Sequence, residues 1–227
     1  DLIVGGGITG NDTRITCGGK TQTCYIHSAT LHCQGPLEVG SYIIKADIRC
    51  GATIVVHTRG GSRSGLVVGG RTVAADGLEA RFVGSANGTF TELSLGVDPA
   101  IADKLLQCRK QQENCKRQRE RYRHLLGLQQ IDAASLKQLI RQATPKRRRQ
   151  LCGCIREWQR LGQTLKSLGE KRRHLSTALL APATSARLRV AGTLFPNVHL
   201  RLGEHIGRTH EPLNQTELHS ENWTLNS

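Results

Sequence analysis

A pattern of alternating apolar residues occurs twice in this chain, 17 residues apart, and it limits the folds that the chain can adopt. The two copies are Tyr25, Ile26, Ala29, Leu31 and Cys33, and then Tyr42, Ile43, Ala46, Ile48 and Cys50. A weaker copy, Thr13, Ile15 and Cys17, stands 16 residues before Ala29, Leu31 and Cys33. Short repeats of this kind predict a solenoid, in which each repeat forms one coil that stacks on the next.

Within each repeat the apolar residues stand two apart, so on a β-strand their side chains point to one face. We expect that face to line the core, where coils about 4.8 Å apart bury one another. Turn-forming residues then mark the corners: Gly35, Gly40, Ser41, Gly51 and Gly60. An antiparallel sandwich of short strands is the alternative, but a sandwich does not require a 17-residue sequence repeat.

The solenoid pattern runs through residues 1–97 and returns at 182–203, where Leu188, Val190, Leu194, Val198 and Leu200 alternate again. The returning strands are expected to complete or cap the solenoid. Residues 204–227 read as a polar and partly ordered tail that Trp223 could anchor. The chain opens within the pattern and without an initiator methionine, which indicates a fragment.

Between these regions, residues 98–181 change to helical spacing. Asp98-Pro99 and Thr144-Pro145 are helix starts, with an N-cap side chain followed by proline. Asp132 could cap a short helix between them, and Pro182 would end the last one. Two heptad seams follow the starts: Ile101, Leu105, Cys108, Gln112, Cys115, Arg119, Tyr122 and Leu126, and then Leu151, Ile155, Trp158, Leu161, Leu165, Leu168, Arg172, Leu175 and Leu179. Two such helices joined by a short connection predict an antiparallel coiled-coil hairpin.

The net charge of +14 is concentrated in this helical region. Residues 98–180 hold 20 Lys and Arg against 7 Asp and Glu, a net charge of +13, whereas the rest of the chain carries +1. Four consecutive cations, Lys146, Arg147, Arg148 and Arg149, form a basic cluster near the expected tip of the hairpin. We predict that this cluster binds a protein partner, an acidic one by charge, or an anionic membrane surface; a solvated helix face is about equally compatible. Nucleic acid is a poorer match, because no stacking aromatics accompany the cluster.

The sequence offers little sign of catalysis, and no cofactor or metal is expected. Asp47, Asp76 and Glu79 are scattered, whereas solenoid enzymes that cleave polysaccharides cluster their carboxylates on one outer face. His27, His32 and His57 are candidates only because histidine titrates near neutral pH. A metal site among His199, His205, His210 and His219 is weakly indicated. The eight cysteines lack zinc-ligand spacing, and Cys17, Cys33 and Cys50 fit inward packing positions.

The order of these features resembles the flagellar assembly protein A family of bacteria. The resemblance covers roughly residues 1–203 and includes the paired coils, Gly69-Gly70, the Leu95–Pro99 entry into the helices and the return strand 194–203. Asn197 stands in that strand where glycine is expected. The resemblance implies a right-handed parallel β-helix interrupted by the helical hairpin. It also implies a non-enzymatic protein in the cytoplasm, at the flagellated cell pole, with no catalytic residues to transfer.

The sequence therefore predicts a scaffold or adaptor in flagellar assembly that acts through protein contacts. A self-assembling cytoskeletal polymer similar to bactofilins is the alternative, because an open solenoid end exposes unpaired strand edges and favours a homo-oligomer. A solenoid enzyme that acts on polysaccharide or acyl groups ranks third.

Overall fold

The computed structural model describes residues 1–58, 64–127, 133–179 and 186–220. The chain divides into two compact units, one formed by Asp1–Ala102 with Leu179–Ser227 and the other by Asp103–Ala178. Four residues with predicted roles lie outside the described residues: Gly60 at a corner, Asp132 as a cap, Pro182 at a helix end and Trp223 as an anchor.

The first unit is a β-solenoid. In the described residues its strands join in one sheet, and β1 to β12 pair with one another in parallel. The strands are β1 (Leu2–Thr9), β2 (Arg14–Cys17), β3 (Thr21–His27), β4 (Thr30–Cys33), β5 (Leu37–Cys50), β6 (Thr53–Val56), β7 (Leu66–Ala74), β8 (Gly77–Ala80), β9 (Phe82–Val83), β10 (Thr91–Leu95), β11 (Arg187–Leu194), β12 (Val198–Leu202), β13 (His205–Arg208) and β14 (Leu213–His219).

Parallel stacking places equivalent residues of successive coils above one another, as the 17-residue repeat predicted. Tyr25 pairs with Tyr42, Leu31 with Ile48 and Leu37 with Ile54. The buried ladders continue on three sides of the coil: Ile26, Ile43, Val67 and Val83; Leu31, Ile48, Thr72, Leu93 and Leu200; and Leu37, Ile54, Leu78 and Leu188. One continuous aliphatic core results.

The cysteine ladder lies in the same core. Cys17 pairs with Cys33 and Cys33 with Cys50, and all three side chains are buried. A hydrogen bond with Cys50, and then burial, raise the pKa of the Cys33 thiol far above its usual range. A protonated, buried thiol behaves as a small hydrophobic group, which agrees with the packing role predicted for it.

Glycines stack at one corner of the coil, where neighbouring backbones approach closely. The amides of Gly35, Gly51 and Gly96 donate to the carbonyls of Gly19, Cys33 and Ala74 at 3.2, 2.8 and 3.0 Å. A Cβ on Gly35 would lie 2.7 Å from the carbonyl carbon of Gly19, and one on Gly51 would overlap the Gln34 carbonyl oxygen. Only glycine fits such contacts without a shift of backbone.

The helical region is inserted at this same corner. α1 (Pro99–Leu126) begins just after β10 ends. When the chain returns, β11 pairs with β8 and β9, and β12 pairs with β10, so the coil continues in register. Val97, Ala102 and Leu179, which flank the insertion within the first unit, pack on Val73 and bury it. The stack of strands is thus uninterrupted, although more than eighty residues separate β10 from β11 in the chain.

Two local features depart from simple strands and turns. Gly40 and Ser41, expected as a corner, lie inside β5, at a register shift between Thr23–Val39 and Tyr25–Tyr42. Asn197 adopts a φ of 65°, in the left-handed region that glycine occupies without strain. Asparagine is the side chain that best tolerates this region, and here its amide donates to the Gly88 carbonyl at 2.6 Å.

The segment predicted as a polar tail instead forms strands as far as residue 219. β13 pairs antiparallel with β12, and β14 pairs antiparallel with β11, so both strands of the last coil are covered. Hydrogen bonds hold this cap, among them Val198 N to Thr209 Oγ1 at 3.0 Å and Ser220 N to the Ala186 carbonyl at 3.0 Å. The alternation was missed because a cap has one neighbouring coil and buries few side chains, chiefly Leu218 and Thr209.

The second unit is helical and consists of most of α1, α2 (Ala133–Gln142) and most of α3 (Pro145–Leu179). Both predicted helix starts are confirmed: Asp98 Oδ1 accepts from Ala100 N at 2.8 Å, and the Thr144 carbonyl accepts from Arg148 N at 2.8 Å. Contacts link Cys108 with Leu168 and Arg119 with Trp158, so α1 and α3 run in opposite directions. Among the described residues, we find no helix with the length and apolar character needed to span a bilayer.

We predict that Ile48→Ala lowers the free energy of unfolding by about 2–5 kcal/mol, because the side chain is fully buried between Leu31 and Thr72. Ile3→Ala is the matched control, since Ile3 also lies on a solenoid strand but is 77% exposed. We expect its effect to stay within about 0.5 kcal/mol. Urea denaturation followed by circular dichroism measures both, and equal unfolding midpoints for the two variants would contradict this core.

We also predict that Gly51→Ala destabilises the solenoid by more than about 2 kcal/mol, because the new Cβ overlaps backbone of the preceding coil. Gly5→Ala is the control, because a Cβ on Gly5 meets nothing within 4 Å. The same urea titration compares the two variants. If Gly51→Ala unfolds at the urea concentration of the control, the corner is less tightly stacked than described.

Candidate binding surface of the helical segment

The basic cluster Lys146–Arg149 lies in the first turn of α3, and all four side chains are exposed. Pro145 occupies the first helical position, where its fixed φ suits the helix and its missing amide hydrogen has no role. The chain therefore begins a helix at this point and presents four cations around its first turn.

Arg148 makes a structural contact with the preceding helix. Its Nε donates at 3.2 Å to the Ile140 carbonyl in the last turn of α2, which also accepts from the Ala143 amide at 3.4 Å. Lys146, Arg147 and Arg149 pair with no carboxylate within the part of the chain that the structure describes. They are therefore available to an external anion.

The position of the cluster is electrostatically unfavourable for the helix itself. The N-terminus of a helix carries a partial positive charge, and cations there destabilise it by roughly 0.3–1 kcal/mol each. The first turn of α3 holds no acidic residue that would offset this effect. Helix stability therefore does not explain the four cations, and the helix dipole adds to the attraction that they exert on anions.

Elsewhere on the helices, carboxylates pair with cations three residues away. Glu113 contacts Lys116 at 3.4 Å, Glu157 contacts Arg160 at 2.8 Å, and Glu120 pairs with Arg123. Exposed pairs of this kind add little stability. Even if all seven acids of residues 98–180 were paired, the 20 Lys and Arg would leave a net positive charge of +13.

A groove beside α3 was not predicted. It has a volume of about 920 Å³, and its lining includes Arg119, Trp158, Gly162, Leu165 and Gly169. The guanidinium of Arg119 lies over the Trp158 ring, with its carbon 4.1 Å from the ring centroid. The sequence signal was present, because Gly162 and Gly169 are seven residues apart, as are Gln112 and Arg119 on the opposing seam.

Of the candidate catalytic residues, His57 lines a shallow depression of about 540 Å³ on the solenoid. Cys24, Glu38 and Ser41, which were not candidates, line it as well. The hydrogen bond from Lys20, and then that from Gln22, lower the pKa of Glu38, and Lys20 Nζ lies 2.7 Å from its carboxylate. The Cys24 thiol donates to the Gly5 carbonyl at 3.2 Å. The thiol and the carboxylate thus have structural partners, and no nucleophile with an adjacent base is assembled.

The other candidates are dispersed. Asp47 pairs with Arg49 at 3.1 Å, and Glu79 with Arg187 at 2.7 Å, whereas Asp76 is exposed. His32 contacts Arg49, His199 packs against the Phe90 ring at 4.7 Å, and His219 lies 3.4 Å from Glu217. Across the described ranges, no three His, Cys, Asp or Glu side chains group as a metal site would require.

Comparison with known proteins identifies the family. The model of the flagellar assembly protein A β-solenoid domain matches residues 1–224. Neither the curated proteins nor the solved structures contain a significant match to the chain. Because the match extends over nearly the whole chain, including the helical insertion, the chain belongs to the flagellar assembly protein A family.

Proposed function

We propose that this chain is a non-enzymatic scaffold or adaptor in bacterial flagellar assembly and that it acts through protein contacts made by its helical segment. Membership of the family supports a role in flagellar assembly. The observation that carries the rest is the basic cluster Lys146–Arg149, which is exposed, lies where the helix dipole disfavours cations, and has no acid beside it in the first turn of α3.

The proposed architecture is a right-handed parallel β-helix interrupted in sequence by an antiparallel coiled-coil hairpin. The parallel ladders and the opposite directions of α1 and α3 support it. Insertion at a corner supports it as well, because the stacking continues from β10 to β12 across the inserted helices. In this architecture the solenoid supplies the stacked core, and the helices supply the binding surface.

The partner that we propose is an acidic protein, in the cytoplasm at the flagellated pole. The helical segment carries nearly all of the net positive charge of the chain, which favours an anionic partner. A protein is a better match than nucleic acid, because no aromatic residues that could stack on bases stand among the cations of the cluster. An anionic membrane surface shares the same electrostatics and is separated from a protein partner by the test below.

A self-assembling polymer is the second candidate, favoured by the parallel strand β1, which pairs with β3 alone among the described strands. A head-to-tail filament requires that both ends of the solenoid remain available for stacking. At the opposite end, β13 and β14 cover the last coil and run antiparallel to it. The capped end therefore favours the adaptor over the polymer.

We predict that the triple substitution Lys146→Ala, Arg147→Ala, Arg149→Ala lowers partner recovery from flagellated cells at least about fivefold at low salt. Arg148 is kept because it holds α2 to α3. The matched control is Lys110→Ala, Arg117→Ala, Arg121→Ala, which removes three exposed cations of α1 and the same net charge. Recovery is measured by pull-down and quantitative mass spectrometry over a salt series.

Unchanged recovery with the cluster variant, or an equal loss with the control, would contradict a role for this cluster. Sedimentation with anionic phosphatidylglycerol vesicles is the parallel assay. Cluster-dependent binding to vesicles, without loss of a protein partner, would assign the cluster to a membrane instead.

We further predict that the intact chain keeps a constant mass in light scattering as its concentration rises. Truncation before Glu204 removes β13 and β14, which exposes the edges of β11 and β12, so this variant is expected to assemble as its concentration rises. Open-ended growth of the intact chain would instead favour the polymer.

A further inference from the structure

The groove beside α3 exists because two helix positions have no side chain. Gly162 and Gly169 stand two turns apart on one stripe of the helix, with Leu165 between them. A Cβ on Gly162 would lie 3.7 Å from Arg119, and one on Gly169 would lie 3.9 Å from Gln112. Both are ordinary van der Waals distances, so alanine would fit without disturbing the contact between α1 and α3.

Glycine at these two positions therefore lowers the stability of the helix, and the packing against α1 does not require it. In a helix interior it is less favourable than alanine by about 1 kcal/mol. The stripe alone would not indicate a ligand. The groove, however, also contains charged and aromatic groups whose interactions are incomplete.

Arg119 is the central group of the groove. Stacking on Trp158 holds its guanidinium in place, and its Nε is buried without a hydrogen-bond partner. A buried donor without an acceptor is unfavourable unless an acceptor arrives from outside. Lys166 and Arg173 also line the groove, and neither pairs with a carboxylate among the described side chains. Glu170 is the single acid in the lining, so the groove is positively charged.

The dimensions and composition of the groove fit a helix. The lining runs along α3 from Trp158 to Arg173, which at 1.5 Å per residue is about 22 Å, or four helical turns. Trp158 and Leu165 offer apolar contact, and the cations stand beside them, which is the pattern recognised by an amphipathic helix laid in a groove. A second copy of this chain is disfavoured as the occupant, because residues 98–180 carry a net charge of +13 in each copy.

We propose that this groove is the docking site for an acidic amphipathic helix of the partner protein, an inference that rests on the proposed adaptor function. Carboxylates of the docked helix pair with Arg119, Lys166 and Arg173, and its apolar side chains pack on Trp158 and Leu165. The absent side chains of Gly162 and Gly169 let the backbone of the docked helix approach α3 closely.

The test uses the full chain with Trp223→Phe, which leaves Trp158 as its one tryptophan. The probe is a fluorescein-labelled peptide of four heptads, with Leu and Ala on one face and Glu on the other. Anisotropy reports affinity, and Trp158 emission reports where the peptide binds. A peptide of the same composition in scrambled order, and one with Lys in place of Glu, are the control probes.

The acidic amphipathic peptide is expected to bind and to shift Trp158 emission, whereas both control peptides bind at least about tenfold more weakly. Arg119→Gln is expected to weaken binding about tenfold or more, as the loss of a charged hydrogen bond would. Gly162→Leu fills the groove and is expected to weaken binding similarly. Gly153→Leu is the matched control, because Gly153 is an exposed glycine of the same helix with nothing within 4 Å of its Cβ position.

Circular dichroism verifies that each variant keeps its helix content, and Arg119→Gln tests the groove without adding bulk if Gly162→Leu loses helix. Absence of binding to the parent chain, equal binding of the Lys peptide, or unchanged affinity in both groove variants would overturn the proposal. If groove variants recover the cellular partner normally while the cluster variant does not, the adaptor function stands and the groove proposal fails. If neither set of variants affects recovery, both fail.

Discussion

In-register parallel stacking is the constraint from which the rest of the solenoid follows. A strand inside the stack, such as β5, hydrogen-bonds to the coil before and the coil after, so its side chains have neighbours at the equivalent positions. Inward positions are consequently aliphatic in coil after coil, and the corner where backbones approach closely accepts only glycine at Gly35 and Gly51. The insertion is tolerated for the same reason. Stacking resumes wherever the returning chain can hydrogen-bond to the previous coil, as Arg187 N does to the Asp76 carbonyl at 3.1 Å.

The same repetition constrains the residues of the solenoid but not those of the helices. Positions fixed by stacking cannot vary freely, and the solenoid with its flanking segments has a net charge of only +1. The helices have no such constraint from coil to coil. Their exposed faces carry most of the Lys and Arg residues, and the carboxylates nearby pair with only a few of them. The aliphatic core of the solenoid and the net charge of the chain therefore lie in different units.

Sequence reasoning succeeded where one local rule decides the structure. The 17-residue repeat predicted the register of Leu31 with Ile48 and of Cys33 with Cys50. Asp98-Pro99 and Thr144-Pro145 predicted the starts of α1 and α3, with a side-chain cap seen at Asp98. It failed where the environment is supplied by distant parts of the chain. β13 and β14 lack a strong apolar alternation, because they rest on one coil only. The groove depends on which face of α1 meets Gly162 and Gly169, and a heptad pattern assigns the seam but not the pairing of individual residues across it.

Two layers of the seam between α1 and α3 are polar, those of Gln112 and Arg119, and they relate the groove to the packing of the helices. In a pair of helices built for stability, the seam positions of Gln112 and Arg119 would be apolar. Here they lie against Gly169 and Gly162, so these two layers contribute almost no apolar burial, although Cys108 and Leu161 are buried in the same stretch of the pair. The basic cluster begins α3, and the groove starts about a dozen residues further along the same helix. In the function that we propose, the cluster attracts the acidic partner at long range and sets the rate of encounter, and the groove recognises it at short range and sets the lifetime of the complex.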